Sequence, residues 1–379
     1  MRTDAELLDH VLSHIDNGTT DTCDEEWLEP VENYRSQARF DAEQRLMRRL
    51  PIAYCPAAVV AESGSYFARS CAGIPIVVVR DEGGELRAFR NACRHRGVQL
   101  TEGQGCAKIF RCTYHGWAYR LDGRLQHVPH EDGFPSLKKE ENGLVPVYDV
   151  QICGGMVFVT VEEPIGPGAL AALPELLTDD QEVFEATEEV EHTNWKLNAE
   201  GMLEGYHIKY THTASFFPYG YDNLNVVETQ GPNVRVCFPF QRIEKLRDAP
   251  RDDINLDRMV TLVNRIFPFA SVTRLAQHYN VSLVEPLTPS STRYYRFNMT
   301  MPGDASEEAL TRAKKDVQFL AETGNLEDIK VLGGIQAAVH SEANEHYRFG
   351  KFESAIIHLH KSLHEHLALL DAESATADS

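Results

Sequence analysis

The segments Asn91–Gly97 and Arg111–Trp117 read NACRHRG and RCTYHGW. Each offers one thiol and one imidazole, and the four side chains are those of Cys93, His95, Cys112 and His115. A tight turn at a hairpin tip brings alternate side chains to the same side, so each segment can aim its pair at one point. Two such loops that face each other would present two sulfur and two nitrogen donors to a metal.

Two cysteines and two histidines suit two kinds of metal centre. Tetrahedral zinc accepts this set in zinc fingers, and a Rieske-type [2Fe–2S] cluster uses two histidines in place of two cysteines on one iron. In zinc fingers, one segment supplies two cysteines and the other supplies two histidines. Here each loop supplies one cysteine and one histidine. Together with Asn91 and the pair Gly116-Trp117, the pattern resembles a Rieske domain. The predicted cluster ligands are Cys93, His95, Cys112 and His115.

The resemblance is to one of two broad kinds of Rieske domain. The respiratory kind carries a further cysteine in each loop, and these two form a disulfide beside the cluster. The corresponding positions here hold Val98 and Tyr114. The pattern therefore looks like the oxygenase or ferredoxin kind, which implies a low potential within the Rieske range. Such a domain needs only about a third of the 379 residues, so the remaining length indicates an enzyme.

Composition narrows the function classes. The formal net charge of -20, from 37 basic and 57 acidic residues, argues against general nucleic-acid binding, which needs a basic surface. The eight cysteines form no dense framework, and those that are not ligands are expected to be free thiols in a reducing cytoplasm. The sequence shows no signal-peptide core and no apolar run of membrane-spanning length, so we expect a cytoplasmic protein without membrane contact.

Three regions differ in pattern. Residues 1–50 carry helical periodicity and are expected to pack on the larger domain, residues 51–162 read as short strands and turns of an all-β Rieske domain, and residues 163–379 form the catalytic domain. In the last region, candidate antiparallel strands are followed by three long helices. The predicted fold class is α+β, an antiparallel sheet covered by helices.

A second candidate metal site lies in the segment Asn194–His212, which we interpret as helix through Tyr210. His207 and His212 are five residues apart, so a straight helix would place them about 140° apart. Binding of one metal by both would require the helix to end or distort between them. Glu204 lies three residues before His207, on the same helix face. Spacing alone favours an ordinary pair of surface histidines.

The Rieske-like segment upstream makes metal binding by these histidines the favoured interpretation. The chain looks like a Rieske non-haem iron oxygenase, the alpha-type terminal oxygenase subunit of the ring-hydroxylating family. This resemblance implies a helix-grip or START-like fold for the catalytic domain. Members hold a mononuclear Fe(II) with two histidines and one carboxylate, the facial triad. The resemblance assigns His207 and His212 to this iron, with Asp328 as the third ligand. A helix-capping carboxylate is the alternative role of Asp328. Glu327 is the rival ligand, expected to point elsewhere around its helix.

Glu204 stands where most family members carry Asp. In the family, that acid links the Rieske histidine of one subunit to an iron-bound histidine of the next. The correspondence makes Glu204 a catalytic residue that connects His115 of one chain with His207 of its neighbour, and a carboxylate suits this because it accepts from both ring N–H groups. Such a link implies a ring of subunits, most simply a homotrimer. Glu at this position is found in the branch that oxidises quaternary amines.

The predicted activity is that of a mono- or dioxygenase that hydroxylates a small organic substrate, mainly expected to be aromatic, with O2. Its electrons would come from NAD(P)H through a separate reductase or ferredoxin, because no flavin or nicotinamide motif is visible. The alternatives are oxidation or demethylation of a quaternary amine such as carnitine or a betaine, and a Rieske electron carrier without oxygenase chemistry. Arg274 and Arg293 are candidates to hold a substrate carboxylate, with ordinary salt bridges as their alternative role.

Overall fold

The computed structural model describes residues 1–377, and the chain forms two compact units. The large unit comprises Met1–Glu43, Gly168–Pro174 and the chain from Asp180 onward. The small unit comprises Gln44–Pro167 and Glu175–Asp179. Both helices and antiparallel sheets are present, so the predicted α+β class is confirmed. The domain boundaries at residues 50 and 162 remain a prediction.

Strands dominate the first half of the chain and the middle of the second. In chain order they are β1 Trp27–Pro30, β2 Ile52–Pro56, β3 Ser65–Cys71, β4 Ile74–Arg80, β5 Leu86–Arg90, β6 Gly103–Cys106, β7 Phe110–Arg111, β8 Ala118–Tyr119, β9 Leu125–His127, β10 Asp149–Cys153, β11 Met156–Thr160, β12 Val183–Glu191, β13 Val226–Gln230, β14 Asn233–Pro239, β15 Val260–Ile266, β16 Ala270–Arg274, β17 Tyr279–Thr288, β18 Ser291–Met299 and β19 His346–Phe349.

The α-helices lie at the beginning of the chain, around residue 200 and at its end. They are α1 Asp4–Asn17, α2 Glu32–Arg35, α3 Gln37–Arg48, α4 Trp195–Gly201, α5 Ile208–Thr211, α6 Glu307–Glu322, α7 Gly324–Ala338 and α8 Ser354–Ala377. Among residues 1–377, no helix has both the length and the apolar character that a membrane span requires.

The small unit is an assembly of short antiparallel sheets, with strand orders β10-β11-β2, β5-β4-β3-β6 and β7-β8-β9. Strand β4 is β-branched through most of its length, which suits a strand covered on both faces, and Ile76–Val79 are buried. The first cluster-loop segment follows β5, and the second begins at Arg111, the last residue of β7. The second lies at the tip of the β7–β8 hairpin, as expected. The first does not lie at a hairpin tip, because it leads from β5 to β6 and these strands do not pair with each other.

The large unit is built on one seven-stranded antiparallel sheet of order β12-β18-β17-β16-β15-β14-β13. The amphipathic helix α1 packs its apolar face on this sheet, beside the edge strand β13. The buried residues that the helix and sheet share in this core include Leu7, Leu8, Val11, Leu12, Val226, Cys237 and Leu262. Helix α7 packs against α4 through Leu332 and Leu197, which brings the start of α7 towards the segment that follows α4.

The expectation of one helix through Tyr210 is wrong. Helix α4 ends at Gly201, and the next helix, α5, is a single turn. Gly205 lies in the break, where a Cβ atom would approach Asn225 Oδ1 to 2.6 Å, so a larger residue here would require the Asn225 side chain to move. His207 immediately precedes α5 and His212 immediately follows it. Helix α5 therefore ends at the second histidine, so the two imidazoles are not held on one continuous straight helix.

Candidate metal centres

The two cluster loops share one backbone design. In each, the N–H of the cysteine donates to the carbonyl five residues further on, and the N–H of the glycine four residues further on donates back to the cysteine carbonyl, at 2.8 to 3.0 Å. These glycines, Gly97 and Gly116, have φ values of +78° and +74°, a region that side chains disfavour. Each loop is therefore closed by its own main-chain hydrogen bonds.

The four predicted cluster ligands converge in pairs. Cys93 and Cys112 are buried in the core of the small unit, 4% and 3% exposed, and their thiols interact with each other. The rings of His95 and His115 lie with centroids 4.6 Å apart. His95 also stacks on Trp117, at 5.0 Å and an interplanar angle of 8°. His115 is the exposed member of the set.

The donor set fits an iron–sulfur centre. The Nδ1 atom of His95 is buried without a hydrogen-bond partner. A metal ion at this position would satisfy that nitrogen. Burial, together with His115 and Arg96, lowers the pKa of His95, which favours the neutral, ligating form. Burial raises the pKa of the Cys93 thiol, so a thiolate here needs an adjacent cation. The irons of a [2Fe–2S] cluster, one bound by the Cys93 thiolate and the other by the His95 imidazole, would supply that charge.

Tyr119 adds a hydrogen bond to one sulfur. Its hydroxyl oxygen accepts the N–H of Arg94 at 2.9 Å and lies 3.2 Å from Cys93 Sγ. The hydroxyl hydrogen is therefore free to point at the sulfur. Burial, with Cys93 as a neighbour, raises the pKa of Tyr119, so the hydroxyl stays protonated and remains a donor. Hydrogen bonds to the sulfurs are one determinant of a cluster's reduction potential.

The large unit brings His207, His212 and Asp328 together. Asp328 Oδ1 lies 3.0 Å from His212 Nε2 and 3.8 Å from His207 Nε2. One donor atom from each residue falls within 4.8 Å of the other two. Two imidazoles and one carboxylate form the donor set of an iron facial triad, and we call these three residues the triad. Their roles as metal ligands remain a proposal, supported by this convergence.

Two acids orient the triad histidines from behind. Glu327 Oε2 lies 2.7 Å from His212 Nδ1 and also accepts the Ser215 hydroxyl at 2.5 Å. Glu204 hydrogen-bonds to His207 Nδ1. Both carboxylates favour an Nδ1–H tautomer, which leaves each Nε2 lone pair facing Asp328. Glu327, the rival ligand in the sequence, thus lies on the far nitrogen of His212, and Ser215 and His212 lower the pKa of its carboxyl.

Glu204 is held more firmly than a surface acid. Its second oxygen accepts the N–H groups of Tyr206 and His207, the latter at 3.0 Å, and the residue is 8% exposed. Behind it lies an acid that the sequence does not single out, Glu353. Burial, together with the charges of Glu204 and Glu200, raises the pKa of Glu353 to about 7. Glu353 is a half-buried carboxyl whose pKa is raised by burial and by its acidic neighbours.

The two arginines considered for substrate binding are engaged elsewhere. Arg274 pairs with Asp257 at 3.2 Å, and Arg293 pairs with Glu188 at 3.2 Å. Their alternative role as salt-bridge residues is therefore the observed one. An aromatic residue borders the triad: the Phe216 ring lies 4.7 Å from that of His212, centroid to centroid.

Comparison with known families matches both units. Residues 51–148 match the Rieske [2Fe-2S] domain, and residues 178–369 match the ring hydroxylating alpha subunit (catalytic domain). The second match alone spans half of the chain. The chain therefore belongs to the family of ring-hydroxylating oxygenase alpha subunits. The cofactors of this family, a Rieske [2Fe–2S] cluster and a mononuclear iron, agree with the two donor sets described above.

Individual relatives make the likeness more specific. The carnitine monooxygenase oxygenase subunit of Escherichia coli (strain K12) is 32% identical over 202 residues, 50% of this chain and 53% of the relative. The chain thus spans about half the length of that relative. The chloroplastic choline monooxygenase of Arabidopsis thaliana is 23% identical over 335 residues, 82% of this chain and 75% of the relative.

A solved structure shares the fold. The quaternary ammonium Rieske monooxygenase CntA in complex with its substrate L-carnitine superposes with a TM-score of 0.74. The match is 20% identical in sequence and covers 92% of this chain and 96% of that one. At this identity the likeness establishes the common architecture of the two proteins.

Proposed function

We propose that this chain is the terminal oxygenase of a multicomponent Rieske system that oxidises a small quaternary ammonium compound with O2. The observation that carries the oxygenase part is the convergence of His207, His212 and Asp328 in a chain that also holds the cysteine–histidine loops. A Rieske electron carrier without oxygenase chemistry would have no use for such a triad or for the acids that orient it.

The residues of the large unit prepare a metal site with one open side. Glu204 and Glu327 fix the two imidazole tautomers, and Asp328, on the start of α7, supplies the negative charge. An Fe(II) bound by these residues would offer open positions for O2 beside the substrate. The burial of His212, 1% exposed, keeps water from one side of that site, which favours the oxidation of a bound molecule.

Electrons would reach the triad from the cluster loops of a neighbouring copy. His115 is exposed, and its ring lies against that of the exposed Tyr114. In the large unit, Glu204 is flanked by the exposed aromatic residues Tyr206 and Tyr210. Exposed aromatic side chains are typical of interface cores. They support a homotrimer in which Glu204 connects the partner subunit's His115 to His207, with a separate NAD(P)H-dependent reductase or ferredoxin refilling the cluster.

Two observations support a quaternary amine as the substrate: the names of the related proteins and the residue at position 204. Proteins named for carnitine and choline oxidation match this chain, and Glu204 is the residue type that the family resemblance connects with quaternary amines. These relatives support a quaternary amine better than the aromatic substrate that the sequence mainly favours. The Phe216 ring beside His212 provides an aromatic face of the kind that attracts a trimethylammonium group.

Oxygen uptake with a surrogate reductase tests the proposal directly. The iron-loaded protein would be assayed with carnitine, choline and glycine betaine, and in parallel with biphenyl and naphthalene. We expect O2 consumption coupled to product for at least one quaternary amine. Coupled turnover of the aromatic compounds alone would overturn the substrate class. A cluster that is reduced and reoxidised without any product, in protein shown to contain mononuclear iron, would leave only the electron-carrier function.

A further inference from the structure

A second convergent donor set lies at the N-terminal helix. His10 and His14 are one turn apart on α1, so their rings project from the same face, and Asp21 lies in the segment that follows the helix. Asp21 Oδ1 is 2.9 Å from His10 Nε2 and 3.1 Å from His14 Nε2, and the two Nε2 atoms are 3.1 Å apart. Three donor atoms thus surround one point.

Hydrogen bonding alone does not explain this triangle. Each ring nitrogen carries at most one hydrogen, which can point at one neighbour only. His14 Nδ1 lies 2.8 Å from Thr19 Oγ1, which can accept its hydrogen. In that tautomer of the neutral His14 ring, Nε2 turns a bare lone pair towards the Asp21 carboxylate. If the Thr19 hydroxyl donates to Nδ1 instead, the Nε2–H can bond to Asp21, and one of the three contacts still has no hydrogen between its atoms. A cation between the three atoms would be bound by all of them.

The dimensions suit a transition-metal ion. Nitrogen and oxygen donors about 2.0–2.1 Å from a tetrahedral zinc lie roughly 3.3–3.5 Å from one another, a few tenths of an ångström more than the separations here. Imidazole with carboxylate is a donor set for zinc and its neighbours rather than for calcium or magnesium. The side chains of His10, His14 and Asp21 are 31%, 12% and 21% exposed, so water can reach a fourth position.

The carboxylate is also anchored from behind. Asp21 Oδ2 accepts the N–H of Val227 in β13 at 2.8 Å, and the Asp21 N–H donates to Asn225 O at 3.2 Å. The Thr20 hydroxyl accepts the N–H of Asn225 at 3.0 Å. Such outer hydrogen bonds orient ligands. They also tie the segment after α1 to the edge strand of the seven-stranded sheet.

We propose that His10, His14 and Asp21 bind a divalent transition-metal ion, represented by zinc, that fastens α1 and the segment after it to β13. The ion would link α1 to Asp21, which is hydrogen-bonded to β13. This link adds to the apolar packing of α1 on the same sheet. Its role is structural, because the donors lie on the elements that close the sheet edge. The site is independent of the triad and of the proposed oxygenase activity.

Zinc binding to the full-length, cluster-loaded protein tests this site. The triad would also bind zinc, so the measurement uses a His207→Ala/Asp328→Ala background. Titration against a chromophoric chelator should show one zinc per chain with a micromolar or lower Kd. Adding His10→Ala/His14→Ala should weaken that affinity by about 100-fold or more, and Asp21→Asn, which keeps the size of the side chain, by about 10-fold. His346→Ala, a change of an exposed histidine on β19, is the matched control.

Thermal unfolding gives a second readout. Zinc should raise the Tm of the background protein and of the His346→Ala control, because a ligand that binds only the native state stabilises it. It should not raise the Tm of the His10→Ala/His14→Ala protein. Visible absorption of the cluster shows that each variant is folded. Absence of zinc uptake in the background, or equal affinity after His10→Ala/His14→Ala, would overturn the proposal.

Discussion

The cluster loops of the small unit and the triad of the large unit hold their donors by different means. In the loops, main-chain hydrogen bonds within six residues place the ligands. In the triad, the ligands come from separate segments and are oriented by side chains, one of which, Glu327, is 115 residues from the histidine it contacts. The first arrangement is local and rigid. The second depends on long-range packing, so single substitutions should affect the two sites in different ways.

The largest effect is expected from Cys112→Ser. The buried thiol belongs both to the donor set and to the core of the small unit, and a hydroxyl is a poorer ligand for iron–sulfur clusters. We expect loss of the visible absorption, loss of turnover and a lower Tm of the small unit. Cys106→Ser changes an exposed cysteine of the same unit and should be neutral. A coloured, active Cys112→Ser protein would mean that another residue ligates the cluster.

Asp328→Ala should abolish turnover while leaving the cluster intact. Loss of the carboxylate removes the negative charge of the triad, and the effect on iron affinity should exceed the roughly 10- to 100-fold cost of losing an outer-shell partner. Iron analysis together with the EPR signal of the reduced cluster separates the two centres. Lys330→Ala, at an exposed position on the same helix, is the control. Unchanged iron content and turnover would remove Asp328 from the ligand set.

The difference between the sites also explains what the sequence could predict. The segment Ile74–Arg80 is rich in β-branched residues and Leu86–Arg90 alternates in polarity. Both local patterns predict strands, and β4 and β5 have these bounds. The cysteine–histidine loops are equally local: their ligands, glycines and closing hydrogen bonds lie within a few residues of one another. Such a site is recognisable from the local sequence, because its geometry does not depend on contacts with distant segments.

The triad could be predicted only in part. Its histidines are recognisable in the sequence, but their spacing is unfavourable on the continuous helix that the pattern indicates. In the structure the helix ends at His212, and His212 is held there by a tertiary contact with Glu327. Helical periodicity predicts that Glu327 points away from Asp328, as it does, but not that His212 lies in its path. The assignment of Asp328 as a ligand rests on the family resemblance.

Glu204→Gln should slow turnover by more than about 10-fold even in iron-saturated protein. An amide cannot accept from the His207 ring and from two backbone N–H groups in the same way, because one of its two ends is a donor. Under the proposed link between subunits, cluster reoxidation in a single turnover should slow by the same factor. Glu204→Asp, which keeps the carboxylate, should recover part of the rate. Full activity of an iron-loaded Glu204→Gln protein would argue against the link.

Glu327→Gln provides the contrast to Glu204→Gln. Glu327 contacts His212 and Ser215 only as an orienting acceptor, so its loss should weaken iron binding by about 10-fold. Saturation with iron should then restore more of the turnover than it does in Glu204→Gln. Ser215→Ala removes one hydrogen bond to the same carboxylate and should have a smaller effect on iron affinity. Equal responses of the two acid variants to added iron would show that both acids merely orient histidines.

The smallest expected effect concerns the potential of the cluster. Tyr119→Phe removes a hydroxyl that can donate to Cys93 Sγ, and hydrogen bonds to sulfur favour the reduced cluster because it carries more negative charge. A differential hydrogen bond of about 1 kcal/mol corresponds to roughly 40 mV for a one-electron couple. We therefore expect the midpoint potential to fall by a few tens of millivolts, measured by a redox titration followed by EPR.

Tyr114→Phe is the matched control for this prediction. Tyr114 lies beside the exposed His115, and its hydroxyl accepts from Arg96 rather than contacting a sulfur. Its loss should leave the midpoint potential nearly unchanged. An equal fall in both variants would assign the effect to the electrostatics of the loop surface. A fall confined to Tyr119→Phe would show that the rigid small-unit loops adjust the cluster through one buried hydrogen bond, whereas the triad is controlled by charged side chains.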